Sequence, residues 1–409
     1  MTAAAARPRY GGTLMIELRD SVQTLDPASP AGDGAALMLP LVFDRLPDLS
    51  LSWTASGQSR RWEFRLRPGV RYHDGAPFAA TPALAAALEA TLRGITVKPH
   101  GDTLVFECAQ PEPGLPLELA RRGYVFARTP DGGAVGTGPF RLTRWEPGRR
   151  AAFAANEDHW AGRPFADAVE IEMGRGSREQ LINLELGRAD IVELAPPEAR
   201  RARRAWASQP VELFAIVFRD GRPADPRLRE ALSAAVDRPA IRNVIFQKHG
   251  EPAGGILPQW ISGYAFLFPA APDLGRARKL AAASSSRALS IGYDAGDPLA
   301  RLLAERVALN ARDGGLAATA APNPQADARI LRWRIRSLES GDALREFGAP
   351  SRAETAEAAC AAERALLAGY RVIPLVHAPV LFGASPRVHA PPLTPLGELR
   401  LADTWLEAR

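Results

Sequence analysis

The chain has 409 residues, of which 46% are apolar and 24% charged, and its formal net charge is +5. That length holds about two to three domains with cores of their own, and the balance excludes global disorder, a collagen-like fibre and a disulfide-dense miniprotein. No apolar run approaches the roughly 20 residues that cross a bilayer. Lysine supplies three of the 51 basic residues (Lys98, Lys248, Lys279) and arginine the other 48. A nucleic-acid binder gathers its charge in runs, whereas these arginines are scattered apart from Arg200, Arg201, Arg203 and Arg204, so no nucleic-acid partner is expected. Cys108 and Cys360 form no metal-type cluster, and their spacing leaves open whether they pair.

In chain order, Gly12–Leu18 reads as a strand running into a loop at Leu25–Asp33, with an apolar helix from about Ala35 to Leu46. Trp62, Phe64 and Leu66 alternate with Glu63, Arg65 and Arg67, the period of a strand with one dry face. Thr81-Pro82 opens an alanine-rich helix, because threonine caps well and proline is tolerated at the first helical position. Ile95–Val97 and Leu104–Cys108 flank His100-Gly101-Asp102 as a hairpin. Further strands are expected at Phe140–Leu142 and Val169–Met173. Ser177 and Gln180 have the capping-box spacing ahead of a helix that Gly187 stops, and Ala189–Val192 is a short strand. Pro196 to Trp206 predicts a helix with a broad cationic face. Asp225-Pro226 and Asp297-Pro298 each start a helix, and strands are predicted at Leu213–Phe218, Leu289–Tyr293, Ala328–Trp333 and Ile373–Val376. Strands alternating with helices on this scale argue for an α/β class.

Catalytic constellations are missing from the sequence. The six histidines show no HExxH or other short metal spacing, and there is no GxSxG elbow. Gly132–Gly138 lacks the Lys-Ser/Thr ending of a phosphate loop and leads into Pro139 and a strand, so it reads as a tight strand entry. No enzymatic activity, cofactor or metal is expected.

Several phrases agree with one family in order. Trp62-Glu63-Phe64-Arg65-Leu66-Arg67-Pro68-Gly69-Val70, continuing through His73-Asp74-Gly75 to Phe78, resembles the signature stretch of family 5 extracellular solute-binding proteins, the peptide, dipeptide and nickel type of ABC importers. Gly136-Thr137-Gly138-Pro139-Phe140, Trp145-Glu146-Pro147-Gly148 and Asn156–Pro164 are similar to its middle motif. Leu186-Gly187-Arg188-Ala189-Asp190-Ile191 is similar to a strand entry of the family, and Asp225–Leu232 with Ala235-Val236-Asp237-Arg238 to the helix that opens its second lobe. The resemblance implies a two-lobed α/β fold like the type II periplasmic binding proteins, with an extra subdomain on lobe I. The expected division is 1–40, 130–207 and 378–409 for the lobe I core, 41–129 for its subdomain and 208–377 for lobe II. It further implies a substrate-binding component that captures a small organic solute between the lobes and delivers it to an ABC permease in the membrane. Such a protein is expected to be a monomer, periplasmic or extracellular, its leader removed and a membrane anchor possible. The alternative is a sensory or interaction protein that keeps the two-lobed shell without transport.

Two departures from the family pattern bear on the ligand. The chain is short for the family, between Leu92 and Val97 and again after Leu316. Peptide-binding members carry a tryptophan followed three residues later by an aspartate that grips the ligand ammonium. The best-matching stretch here is Leu331-Arg332-Trp333-Arg334-Ile335-Arg336, which places Arg336 where the carboxylate would stand. A cation facing the cleft there repels an ammonium and suits carboxylate, phosphate or sulfate, so the expected solute is peptide-like or oxyanion-bearing; the alternative is that Arg336 points to solvent or pairs internally with an acid such as Glu339. The candidate ligand-binding residues are Ala28, Ser29, Pro30, Ala31, Gly32 and Asp33 in the first loop, Trp260 and Tyr264 in the second lobe, and Trp333, Arg334 and Arg336.

Overall fold

The computed structural model describes residues 7–29, 32–92, 94–129, 133–223, 225–389 and 393–407. Pro30 and Ala31 of the first loop lie outside them. Among the described residues one sheet runs in the order Ala317–Ala321, Ala288–Gly292, Ala328–Arg334, Ala205–Phe218, Val372–Ala384, Ile191–Glu193, Thr13–Glu17, Ala168–Glu172, Arg150–Ala155 and Phe140–Glu146. Its two central strands are 14 and 13 residues long and cross from one half of the molecule to the other. The ladder between them slips in the middle, around Ala207, Pro210 and Glu212, and once more between Phe214 and Ala215. Pro210 stands opposite Pro379, and neither has an N–H to continue the ladder. The Ser208 hydroxyl accepts from the Val380 N–H at 2.9 Å and bridges the gap.

Separate apolar interiors lie on either side of that break. One gathers Leu14, Ile16, Met38, Phe140, Phe153 and Ile171; the other gathers Ile216, Leu232, Phe246, Leu303, Val307 and Ile373. This is the expected two-lobed α/β architecture. A four-stranded sheet, Ser50–Ser56, Arg61–Leu66, Thr103–Cys108 and Ile95–His100, forms the extra subdomain with the helix Pro82–Thr91 around Phe64, Phe106 and Leu88. Trp62, Phe64 and Leu66 point inward and Arg61, Glu63 and Arg65 outward, as their alternation predicts.

Helix starts follow local chemistry. Thr81 Oγ1 accepts from the Leu84 N–H at 3.2 Å; Asp225 accepts from Arg227 at 2.9 Å; Asp297 accepts from Leu299 at 2.9 Å and Ala300 at 3.1 Å. The expected capping box at Ser177 does not form. Gly176 is the N-cap, without a side-chain bond, and Gln180 turns inward to donate to the Arg175 carbonyl and accept from the Glu193 N–H, each at 2.8 Å. The cationic helix expected from Pro196 is also absent: residues 196–204 are turns and bends. There Ala199 is buried in a small cluster with Leu184 and Leu381, and Arg204 reaches the Val388 carbonyl at 2.8 Å, so no helical face repeats. Cys108 and Cys360 are both unpaired thiols, and burial pushes the Cys108 thiol up to about 11.

Two carboxylates fasten the pieces together. Asp44 accepts from Thr137 Oγ1 at 2.9 Å and from Trp160 Nε1 at 2.8 Å. Beside it, His73 Nε2 donates to the Gly138 carbonyl at 2.9 Å, as does Asn156 Nδ2 at 3.1 Å. A Cβ on Gly138 would stand 2.6 Å from the Val42 carbonyl carbon, so the strand entry needs glycine for close backbone approach. On the other side of lobe I, buried Asp190 holds Arg387 through two bonds of 2.6 and 2.7 Å and accepts from the Ser385 hydroxyl and the Met15 N–H, each at 3.1 Å.

Replacing Asp190 by alanine leaves the half-buried Arg387 and the Met15 N–H without their acceptor, and is expected to lower the unfolding free energy by about 3–5 kcal/mol in urea denaturation. Burial, with Arg141 and His159 nearby, holds the His73 imidazole below its ordinary 6.5, against the opposing pull of Gly138 and Asp44. The unfolded chain therefore takes up this proton first, and the stability contributed by neutral His73 is present above pH 6.5 and lost as pH falls toward the folded value. His73→Gln is expected to flatten the fall in melting temperature between pH 7.5 and 5 relative to the natural chain.

Candidate ligand-binding site

A cavity lies where the central ladder slips. Its interior is small, about 40 Å³, and it opens to solvent. Lobe I contributes Arg19, Asp20, Asp33 and the segment 193–196; the crossing strands contribute Glu212, Phe214 and 378–381; lobe II contributes Phe246, Leu299, Arg332 and Arg334. The crossing strands give the lining apolar side chains and the walls carry charges of both signs, groups that can fix a small solute by a few polar contacts.

The strand Ala328–Arg334 sets the charge pattern. Its residues alternate faces, so Arg332 and Arg334 turn to the cavity while Trp333 packs at 5.6 Å against Phe347 on the opposite side. Just beyond the strand, Arg336 Nη2 donates to Asp33 Oδ1 at 2.8 Å. Arg332 stands between two acids, with Nη2 3.6 Å from Asp33 Oδ2 and Nη1 3.6 Å from Glu212 Oε1. Arg334 Nη2 donates to the carbonyls of Leu396 and Gly397 at 2.9 and 2.8 Å, in a segment whose Leu393, Leu396 and Leu399 pack on lobe I. Three arginines of one lobe thus reach the other. Burial works to raise Asp33, but the Arg336 hydrogen bond and the charges of Arg334, Arg332 and Arg336 outweigh it and hold the carboxyl below its ordinary value. Glu212 goes the other way: burial, with Asp33 adding to it, pushes it up against the pull of Arg332 and Arg334.

Of the candidate residues, Asp33 and Arg334 line the cavity, and Arg336 is joined to it through its bond to Asp33. Gly32 is the N-cap of the helix Asp33–Val42. Ala28 and Ser29 form a turn closed on Asp26 and do not line the cavity. Trp260, Tyr264 and Trp333 do not line it either. Trp260 Nε1 donates to the Pro210 carbonyl at 3.0 Å, satisfying the crossing strand at its slip. Tyr264 gives its hydroxyl proton to Glu363, a fully buried carboxylate that also accepts from the Ile256 and Leu257 N–H groups. The sequence reading missed Arg19, Asp20, Glu193, Glu212 and Arg332. A signal existed for two of them: Glu212 is a lone acid inside the apolar run Val211–Phe218, and Arg332 shares the period-two spacing of Arg334 and Arg336. His377 is fully buried, with Nε2 3.0 Å from the Ile256 carbonyl. Among the described residues no three His, Cys, Asp or Glu side chains gather as a metal site.

The sequence profile of the bacterial extracellular solute-binding proteins, family 5 middle region, matches residues 46–322. The chain belongs to this family. A probable di/tripeptide-binding protein 5 of Pseudomonas aeruginosa is 30% identical over 166 residues, 38% of this chain and 32% of that protein. Protein XP55 of Streptomyces lividans is 26% identical over 290 residues, 61% of this chain and 53% of that protein. The chain thus spans about half the length, or less, of the curated relatives it matches. Among solved structures, the ABC transporter substrate-binding protein CtaP of Listeria monocytogenes superposes with a TM-score of 0.83 at 16% identity, covering 97% of this chain and 100% of that one. NikA of Staphylococcus aureus, solved with Ni(L-His)2, gives 0.82 at 15% identity over 97% and 100%. At these identities the structural likeness establishes the fold.

Arg334→Ala removes two charge-assisted bonds between the lobes and is expected to lower the unfolding free energy by about 1.5–3 kcal/mol. Both bonds come from one nitrogen and an ammonium carries three donors, so Arg334→Lys is expected to restore part of the loss; chemical denaturation of the two variants checks this.

Proposed function

We propose that this chain is the substrate-binding component of an ABC importer. It captures a small organic solute, peptide-like or oxyanion-bearing, between its lobes and delivers it to a membrane permease. The observation that carries this reading is the position of the cavity, which is lined from both lobes and floored by the two strands that join them at their slipped register. A solute held there contacts both lobes only when they are together, so binding shifts the balance of lobe arrangements, and the arrangement so selected is the surface a permease reads. Micromolar capture requires roughly 8 kcal/mol, within reach of an apolar floor and a few placed charges. The ligands for which the relatives are named, di/tripeptides and a nickel–histidine complex, support the same solute class. In this reading the protein performs no chemistry on its ligand, acts as a monomer outside the cytoplasm, and divides into lobe I (1–40, 130–207, 378–409), its subdomain (41–129) and lobe II (208–377).

A thermal-shift screen of short peptides, metal–histidine complexes and organic anions tests the proposal. At a hundredfold excess over its dissociation constant a true ligand adds about 2.7 kcal/mol of stability. Calorimetry is expected to give one site per chain, and Leu299→Trp, which fills the cavity wall, is expected to abolish the shift. Stabilisation that survives Leu299→Trp, or no stabilising solute at all, overturns the reading.

A further inference from the structure

We propose that Asp33 is an internal stand-in for a ligand oxyanion, and that the solute of this cleft carries a carboxylate, phosphate or sulfate that displaces Asp33 from Arg332 and Arg336. The inference rests on interlobe capture and names the chemistry of that site.

The geometry is that of a receptor occupied by its own chain. Asp33 belongs to lobe I, the two guanidiniums to lobe II, and the carboxylate bridges them with one oxygen toward each. Only the Arg336 contact, at 2.8 Å, is a hydrogen bond; both acid contacts of Arg332 are 3.6 Å long. A guanidinium carries five donors, so Arg332, which lines the cavity, retains bonding capacity toward whatever enters it. Arg334, between the two in sequence, is committed to the Leu396 and Gly397 carbonyls. It fixes the strand, and of the flanking pair Arg332 lines the cavity while Arg336 meets it through Asp33. Two anions on one guanidinium pair repel each other in a partly desolvated cleft, which makes binding of a ligand oxyanion and of Asp33 competitive. The displaced carboxylate remains on the first residue of the helix Asp33–Val42, where the helix dipole favours negative charge.

Asp33 would therefore set a threshold. A weakly held anion does not displace a tethered carboxylate, whereas an oxyanion that engages both guanidiniums and also fills the apolar floor at Phe214 and Phe246 does. A ligand ammonium gains nothing from the arginine pair and must compete with Arg336 for Asp33.

The test is calorimetric titration of inorganic phosphate and of succinate into the natural chain, Asp33→Asn, and Asp33→Asn combined with Arg336→Gln, with the melting temperature of each confirming that it folds. Removing the internal competitor is expected to tighten binding of at least one probe by about tenfold or more, and Arg336→Gln is expected to cancel the gain. Equal affinity in the natural chain and Asp33→Asn, or a gain that survives Arg336→Gln, overturns the inference. If Asp33→Asn gains nothing while a solute lacking any oxyanion stabilises the natural chain and Leu299→Trp removes that effect, this inference falls and interlobe capture stands.

Discussion

Two long strands are all that the central sheet offers to join two separately packed interiors, and their ladder is interrupted where Pro210 meets Pro379. Backbone N–H and C=O groups left by such a break need partners, and side chains supply them: Ser208 to the Val380 N–H, Trp260 to the Pro210 carbonyl. The consequence is local. A region without a regular ladder bends more easily than the sheet on either side of it, and the cavity opens at that point because the lobes flanking the break present loops and strand ends rather than continuous cores. Position of the site thus follows from the irregularity of the crossing strands.

The residues that make the family recognisable do a different job from the residues that line the cleft. Asp44, Thr137, Gly138, Asn156 and Trp160 form one hydrogen-bonded junction between subdomain and lobe I, and Asp190 with Arg387 ties the inner strands of the lobe I sheet to the chain beyond Ala384. These are buried polar groups, costly to leave unpaired, so their identities are tightly coupled to the fold. Cleft residues carry no such burden. Arg332 and Glu212 each touch an opposite charge at a distance a different pair would equally satisfy. The architecture is accordingly shared with solved structures at 14–18% identity.

That division explains what was legible in the sequence. Alternation located Arg61–Leu66 because its outer face is wet, and Thr81, Asp225 and Asp297 located helix starts because each cap is satisfied within three residues. Ser177 misled, since its spacing matched a cap but buried Gln180 was drawn to Glu193 by a tertiary contact. The crossing strands were read at less than half their length. Pro210, Pro374 and Pro379 break the pattern of a regular strand, and residues 373–384 are buried throughout, which leaves no alternation to detect. Of the cleft, Asp33, Arg334 and Arg336 were found, two of them through an expected match to a ligand-gripping aspartate. The aromatic candidates Trp260, Tyr264 and Trp333 turn away because their polar atoms or flat faces were required elsewhere, at Pro210, Glu363 and Phe347. Contacts of that kind join residues tens to more than a hundred positions apart and leave no local trace.

The stretch Leu331–Arg336 shows how much depends on a single register. Three arginines at alternate positions, with Trp333 and Ile335 between them, form a cationic stripe on one face and an apolar stripe on the other. A slip of one residue would drive the guanidiniums into the lobe II interior and expose the tryptophan to the cleft. Pairing with Glu212–Phe218 prevents this, because Leu213 opposite Trp333 and Ala215 opposite Leu331 must share the buried face. The same pairing places Glu212 beside Arg334 in the sheet, so an acid enters the cationic stripe from the crossing strand itself. The charge balance of the cleft is therefore built into the hinge element and not only onto its walls. Any movement of the lobes about the slip at Pro210 changes the distance between Asp33 and the arginines while leaving Glu212 among them. Asp33 is the charge held across the lobes, and Glu212 the one paired with the arginine strand within the sheet.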